Sequence, residues 1–495
     1  MLFNSLEFLV FLPIVALVFF RLRHAKRWAW LLAASYFFYM WWKPAYAVLI
    51  FGSTVVDYFV ALQMGATENP RLKKALLGLS LAVNLGLLFT FKYLGFFNDA
   101  LTEGLAMAGI AWDAPELGLL LPVGISFYTF QTLSYTIDVY RGRLEPRRHF
   151  GTFALFVSFF PQLVAGPIER ASRLIPQLEA EVRPDLQRFV EGGKRILWGL
   201  FKKVVVADRL AIYVDAVYAD PGAHDGLTLI LATYFFAFQI YADFSGYSDI
   251  AIGAARILGY DLMENFQRPY FARNISDFWR RWHISLSTWF RDYVYIPLGG
   301  NRVGALRWHV NLMIVFVVSG LWHGANWTFI VWGGLHGAYL ITAILTANLR
   351  ERIAGGLGIA SRPRLHRAWE VCITFHLALV AWVFFRADSV GDAFAIFEGS
   401  LNGLGPHLSA LFAGDVSTLH RALVMDVGVS ALDFALSLAA LACLHLHDWC
   451  REDWDIASRL GSHARLIRVL FYDLVFFAIL LFGVFGAQQF IYFQF

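Results

Sequence analysis

Residues 308–346 read WHVNLMIVFVVSGLWHGANWTFIVWGGLHGAYLITAILT. The stretch contains two apolar runs, 308–322 and 325–346, with His323 in the polar break between them and no Asp, Glu, Lys or Arg in either. Runs of this kind suit lipid, where about 20 predominantly apolar residues cross the hydrocarbon as a helix. The rest of the chain reads the same way. Its 495 residues are 58% hydrophobic and 16% charged, with a mean hydropathy of +0.55. An average soluble domain is about 45–50% apolar and about a quarter charged. So much apolar surface cannot be buried in one water-soluble core, so a bilayer is the expected solvent. The 47 Phe, 20 Tyr and 17 Trp fit both lipid and the membrane–water belt.

Working outward, apolar runs fall near 6–20, 28–42, 45–64, 75–97, 117–139, 196–214, 227–258, 308–322, 325–346, 368–385, 424–446 and 468–488. The expected fold is an all-α polytopic membrane protein with about 11–12 transmembrane helices, forming one membrane domain over residues 1–495. The first run, Leu6 to Phe20, has no basic segment before it and no small-residue cleavage site after it, so it reads as a retained span. The loops alternate in sign. Arg21, Arg23, Lys26 and Arg27 fill one, Arg71, Lys73 and Lys74 another, and Arg141, Arg143, Arg147 and Arg148 a third. Asp99, Glu103, Asp113 and Glu116 lie in one counterpart, and Asp215, Asp220 and Asp225 in another. Basic short loops stay cytoplasmic, which places both termini outside. The net charge of +4 is therefore a topology signal and carries no evidence for nucleic acid. Residues 150–195, broken at Ala165-Gly166-Pro167, predict a re-entrant element. Residues 260–307, rich in Arg, Trp and Tyr, predict short interfacial helices on the cytoplasmic side.

Polar residues inside apolar runs mark where chemistry could occur. Gln239 to Asp249 places Asp243, Ser245, Gly246 and Tyr247 within one long run. Their spacing fits an interhelical hydrogen-bond seam or the lining of a substrate cavity. A second cluster runs from Phe278 to Asp292 and contains Arg280, Arg281, Trp282 and His283; a third runs from Ser319 to Trp327 and contains Trp322, His323 and Asn326. A neutral imidazole in a water-poor site can accept a proton near pH 7, which makes His323 a candidate base; the alternative is a packing histidine. No metal site is expected. His445, His447, Asp448 and Cys450 match no standard ligand spacing, and Cys372, Cys443 and Cys450 form no disulfide framework. There is no Gly-x-Ser-x-Gly elbow, Walker loop or dinucleotide turn.

The chain resembles the membrane-bound O-acyltransferase family, in particular its bacterial polysaccharide branch typified by alginate O-acetyltransferases. The matching motifs are Leu121-Pro-Val-Gly124-Ile-Ser126-Phe-Tyr128-Thr-Phe-Gln131, Phe160 to Arg170, Tyr241 to Asp249, Arg280-Arg-Trp-His283, Tyr295 to Arg302 and Gly320-Leu-Trp-His323-Gly. The resemblance implies helices around a transmembrane tunnel and transfer of an acetyl group from acetyl-CoA in the cytoplasm, a donor substrate and not a bound cofactor. The family's histidine falls on His323, as general base. Its second position, Asn or His, falls on His283, expected to hydrogen-bond the thioester carbonyl or to orient the thioester. Asp243, Ser245, Trp282, Trp322 and Asn326 are expected along the substrate path, and Lys202, Lys203, Arg280 and Arg281 at the donor phosphates. Hydropathy places His323 at a helix end, whereas the resemblance places it deep.

The resemblance further implies a bacterial inner-membrane location and O-acetylation of an exported polysaccharide. Partners would be a periplasmic SGNH, esterase-like acetyltransferase, a polysaccharide export complex and membrane lipid. Transfer of another acyl group such as D-alanyl, or polysaccharide or lipid transport, are the alternatives. The terminal span and tail, 468–495, end in Phe490-Ile-Tyr492-Phe-Gln-Phe495. That end resembles the small membrane peptide of D-alanylation systems, which implies that Tyr492 relays the acyl group; composition alone reads it as an aromatic anchor.

Overall fold

The structure is a computed structural model and describes residues 1–112, 118, 120–453, 464–486 and 490–491. All of its elements are helical. Among the described residues, seven helices are long and apolar enough to cross a membrane: Pro44–Ala66, Pro70–Met107, Gly226–Ile257, Ala305–His323, Trp327–Leu345, Pro363–Arg386 and Ala431–Cys450; Val469–Phe482 is a shorter apolar helix. The chain is a multi-pass membrane protein. Several apolar runs make shorter helices because local caps and breaks stop them. Ser5 caps Leu6–Arg21 by accepting from Phe8 N–H, and extended backbone at Leu22 ends it after 16 residues. His24–Met40 has 17 residues and Ile125–Tyr140 has 16. Conversely, a π-helical turn at Phe89–Tyr93 joins two helices into the 38-residue Pro70–Met107.

The described chain falls into two compact units, residues 1–196 with 248–264 and residues 197–247 with 265–495. In the first unit, helices Ala47–Ala66, Pro70–Leu88 and Ile125–Tyr140 enclose Asp57. Its carboxylate accepts from Ser80 Oγ at 2.5 Å and from Asn84 Nδ2 at 2.9 and 3.0 Å. Thr132 and Thr136 extend the network, at 3.1 Å to Asn84 and 3.2 Å to Ser80. The broken segment 150–195 consists of short helices, Phe150–Ser158, Phe160–Leu163, Ala171–Glu179 and the start of Leu186–Leu200. Residues 151–169 are buried throughout, so the non-helical backbone at Ala165-Gly166-Pro167 is surrounded by protein, the condition under which such a break is tolerated in a membrane protein.

In the second unit, Ala305–His323 and Trp327–Leu345 form a tight hairpin. Gly320 and Gly333 permit it. A Cβ at Gly320 would stand 2.2 Å from the Phe329 carbonyl oxygen, and one at Gly333 2.3 Å from that of Phe316. The 260–307 stretch contains short helices as expected, Ile275–Arg281 and Ile284–Phe290 followed by a π-helical turn at Arg291–Tyr295. They are not a loose polar layer. Phe278, Trp279, Trp282, His283, Leu286 and Trp289 are buried, while Arg273 and Arg280 are exposed.

Candidate active site

His323 is the last residue of Ala305–His323 and only 3% exposed, so it is both at a helix end and buried. Its Nδ1 stands 2.7 Å from the carbonyl oxygen of Ser319, one turn back. A carbonyl oxygen can only accept, so Nδ1 carries the proton and Nε2 carries the lone pair. Trp322, Trp332 and Phe385 surround the ring, with centroids at 4.9, 4.8 and 5.6 Å.

His283 is fully buried and adopts a left-handed backbone, φ 43°, at the start of Ile284–Phe290. Asn265 decides its protonation. The Asn265 side-chain oxygen accepts from the backbone N–H of Ser285 at 3.2 Å and from Ser285 Oγ at 2.9 Å, which identifies it as the oxygen of the amide. His283 Nδ1 lies 3.1 Å from the same oxygen and must donate to it, leaving the lone pair on Nε2. Burial, reinforced by nearby His323, holds the His283 pKa well below its ordinary value, so the ring is neutral. The carbonyl-donor role expected for His283 requires a proton on Nε2, and this tautomer does not carry one. Trp322 stands between the two histidines, its ring 6.2 Å from His283 and 4.9 Å from His323.

The other expected residues divide. Trp282 is fully buried, stacks on Phe278 and lies 4.9 Å from Trp382. Asn326 caps helix Trp327–Leu345, accepting from Thr328 N–H at 3.0 Å and donating to the Asp388 carbonyl at 2.9 Å. Lys202 and Lys203 lie in the π-helical turn Phe201–Ala207 and are both buried. Lys202 donates to Ser245 Oγ at 2.9 Å; Lys203 pairs with Asp208 and Asp243, each at 2.8 Å. Two carboxylates therefore neutralise Lys203, which is not available as a surface cation for phosphate. Arg281 pairs with Asp277 at 2.9 Å, and Arg280 is exposed. Tyr492 lies outside the described residues, but the two residues before it do not. Phe490 and Ile491 are 2% and 3% exposed, and Ile491 N–H donates to Asp243 Oδ2 at 2.8 Å.

Asn265 was not legible as a partner of His283, because no motif marks the contact between them, 18 positions apart. The bond from Tyr241 to Asp448, 2.7 Å long, was likewise unread. His336 sits in the same aromatic group, accepting from Trp279 Nε1 at 3.3 Å with its ring 5.0 Å from Trp332.

Comparison with known proteins covers these same residues. The model of the membrane-bound O-acyltransferase family matches residues 147–385, which include Asp243, His283 and His323. A Pseudomonas aeruginosa protein named probable alginate O-acetylase AlgI is 40% identical over 444 residues, 89% of this chain and 81% of that protein. The peptidoglycan O-acetyltransferase of Helicobacter pylori is 39% identical over 499 aligned positions, 92% of each chain. The teichoic acid D-alanyltransferase of Streptococcus thermophilus is 31% identical over 306 residues, 58% of this chain and 70% of that protein. Similarity that extends nearly end to end and spans both buried histidines establishes that the chain belongs to the membrane-bound O-acyltransferase family and is an acyltransferase of the membrane.

Proposed function

We propose that the protein moves an acetyl group from acetyl-CoA in the cytoplasm across the bacterial inner membrane, for O-acetylation of an exported polysaccharide of the alginate type. The observation that carries this is the pair of buried histidines flanking Trp322, each tied through Nδ1 so that Nε2 holds the lone pair. His323 Nε2 removes the proton from an incoming hydroxyl as its oxygen attacks the thioester carbonyl. A C–O bond forms, the C–S bond breaks, and the proton passes from His323 to the departing thiolate. Positioned proton transfer of this kind contributes about 10²–10⁴-fold. Neutral His283 accepts a hydrogen bond and orients the reacting hydroxyl or a donor N–H. An asparagine there keeps an acceptor oxygen, which accords with the Asn-or-His alternation that the resemblance implies.

The first acceptor in this reading is the hydroxyl of Tyr492. A phenol is a poor nucleophile near neutral pH without a base, so Tyr492 and His323 require each other. The acetyl ester then passes to a periplasmic esterase-like acetyltransferase and from it to the polymer. Arg280 and Arg281 are the cations proposed for the donor phosphates. The names of the relatives divide among alginate, peptidoglycan and teichoic acid, and each names the transfer of an acyl group. The D-alanyltransferase relatives support a second reading, D-alanyl transfer from a carrier protein.

Purified protein supplied with labelled acetyl-CoA or a D-alanyl carrier separates the two. Transfer from acetyl-CoA that vanishes in His323→Ala, and survives in part in His283→Asn, is the expected result. Acceptance of only the acylated carrier refutes the acetyl reading, and equal loss in His283→Asn and His283→Ala refutes the acceptor role. Polymer acetylation by this protein alone refutes the need for the partner.

A further inference from the structure

The helix Ala464–Phe482 is followed by a segment tied repeatedly to its own unit. Arg209 Nη2 donates to the Phe482 carbonyl at 2.5 Å, serving the end of the last helix, while its Nη1 donates to Asp433 at 2.6 Å. Val484 N–H donates to the Val204 carbonyl at 2.8 Å. Val204 lies in the π-helical turn Phe201–Ala207, and such turns, with their altered hydrogen-bond register, recur at functional sites. Phe490 then enters a slot formed by Tyr247 and Phe244, with ring centroids at 4.6 and 5.7 Å, and Phe244 meets the His283 ring edge-on at 4.7 Å. Ile491 N–H closes the series on Asp243.

We infer that Asp243 is a positioning residue: its carboxylate, oriented by Lys203, holds the main chain at Ile491, on the side of Phe244 that carries Phe490, and so anchors the chain end near His283. This rests on the relay reading above.

Asp243 lies within the apolar helix Gly226–Ile257, where an ionisable side chain is costly and needs a partner. The ammonium of Lys203 supplies that partner at Oδ1 and is shared with Asp208. With Oδ1 fixed, Oδ2 is oriented toward the Ile491 N–H. Hydrogen bonds to charged acceptors are shorter and stronger than neutral ones. The contact reads backbone, so it fixes the position of the chain whatever side chain stands at 491. The Phe490 slot reads side-chain shape and fixes the register. Together they hold the chain at Phe490 and Ile491, immediately before Tyr492 in the sequence.

Ile491→Pro removes the N–H, together with the Ile side chain and part of the local backbone freedom, and leaves the Lys203–Asp243 pair intact; Ile491→Val keeps the N–H and is the control. Phe490→Ala empties the slot. The readouts are acetyl transfer and the maleimide labelling rate of Gln494→Cys, in a chain whose three native cysteines are serine. Ile491→Pro is expected to lower kcat for transfer about ten- to a hundredfold, the range for losing a hydrogen bond to a charged group, with donor KM unchanged and faster labelling. Ile491→Val is expected to behave as the parent chain, and Phe490→Ala to label faster. Transfer by Ile491→Pro within about twofold of the parent, or equal loss in Ile491→Val, overturns the inference. Tyr492→Phe separates it from the relay reading. If Tyr492→Phe abolishes transfer while Ile491→Pro does not, positioning by Asp243 is wrong and the relay stands. If Tyr492→Phe transfers normally, the relay falls; faster labelling of Ile491→Pro then still supports docking by Asp243, and unchanged labelling overturns that too.

Discussion

Asp57 and Asp243 are both buried carboxylates inside apolar helices, and they are satisfied in opposite ways. Asp57 accepts from Ser80 and Asn84, neutral groups on the adjacent helix Pro70–Leu88, and Thr132 and Thr136 close the network behind them. Asp243 is held by a cation on one oxygen and by a backbone N–H from a residue 248 positions later on the other. The first arrangement belongs wholly to packed helices and can open only if they separate. In the second, one ligand belongs to a short segment beyond the last helix. A buried carboxylate is thus no functional signal by itself; the charge of what answers it, and how far along the chain it comes from, say more.

The sharpest way to break this comparison is to show that either carboxylate performs the proton chemistry proposed for His323. His323→Ala should lower acetyl transfer about 10²–10⁴-fold without shifting thermal unfolding, while folded Asp57→Asn keeps its rate. Loss of transfer in folded Asp57→Asn would erase the distinction. Next in size, Lys203→Met leaves Asp208 and Asp243 buried without their shared cation. Breaking a buried pair on one side costs about 3–5 kcal/mol, to be read as a marked fall in unfolding midpoint in detergent. Asp57→Ala removes the acceptor of Ser80 and Asn84 and should cost about 1–3 kcal/mol, less than Lys203→Met, with transfer per folded molecule unchanged. Ser80→Ala removes one neutral donor and should cost about 1 kcal/mol. A Ser80→Ala effect larger than that of Lys203→Met would reverse the ranking on which the comparison depends.

Much of the fold could be read from hydropathy, because the period and length of apolar runs are properties of contiguous sequence. Helix lengths were less legible. Among the described residues, seven helices reach crossing length and others are shorter; Leu6–Arg21, for one, is bounded by Ser5 and by extended backbone at Leu22. His323 was legible because it interrupts two apolar runs, and His283 because Trp and Arg surround it. Lys202 and Lys203 were read as surface cations for phosphate because sequence displays a charge without its partners. Ser245, Asp208 and Asp243 supply them inside the protein. The tautomer of His283 depends on Asn265, and the docking of Ile491 on Asp243. Both contacts are made by tertiary folding across sequence separations that no local pattern records.

The glycine contact between Ala305–His323 and Trp327–Leu345 has a thermal consequence. With the Cβ positions of Gly320 and Gly333 closed off by facing carbonyl oxygens, the hairpin has almost no room to slide or breathe one strand of side chains past another. The imidazole of His323 and the indole of Trp332 are therefore held in place by the fold itself, which under the proposed function leaves little reorganisation for the reaction to perform. On heating, activity should persist until the unit holding the hairpin melts cooperatively, and then vanish with it, with no earlier softening of the site.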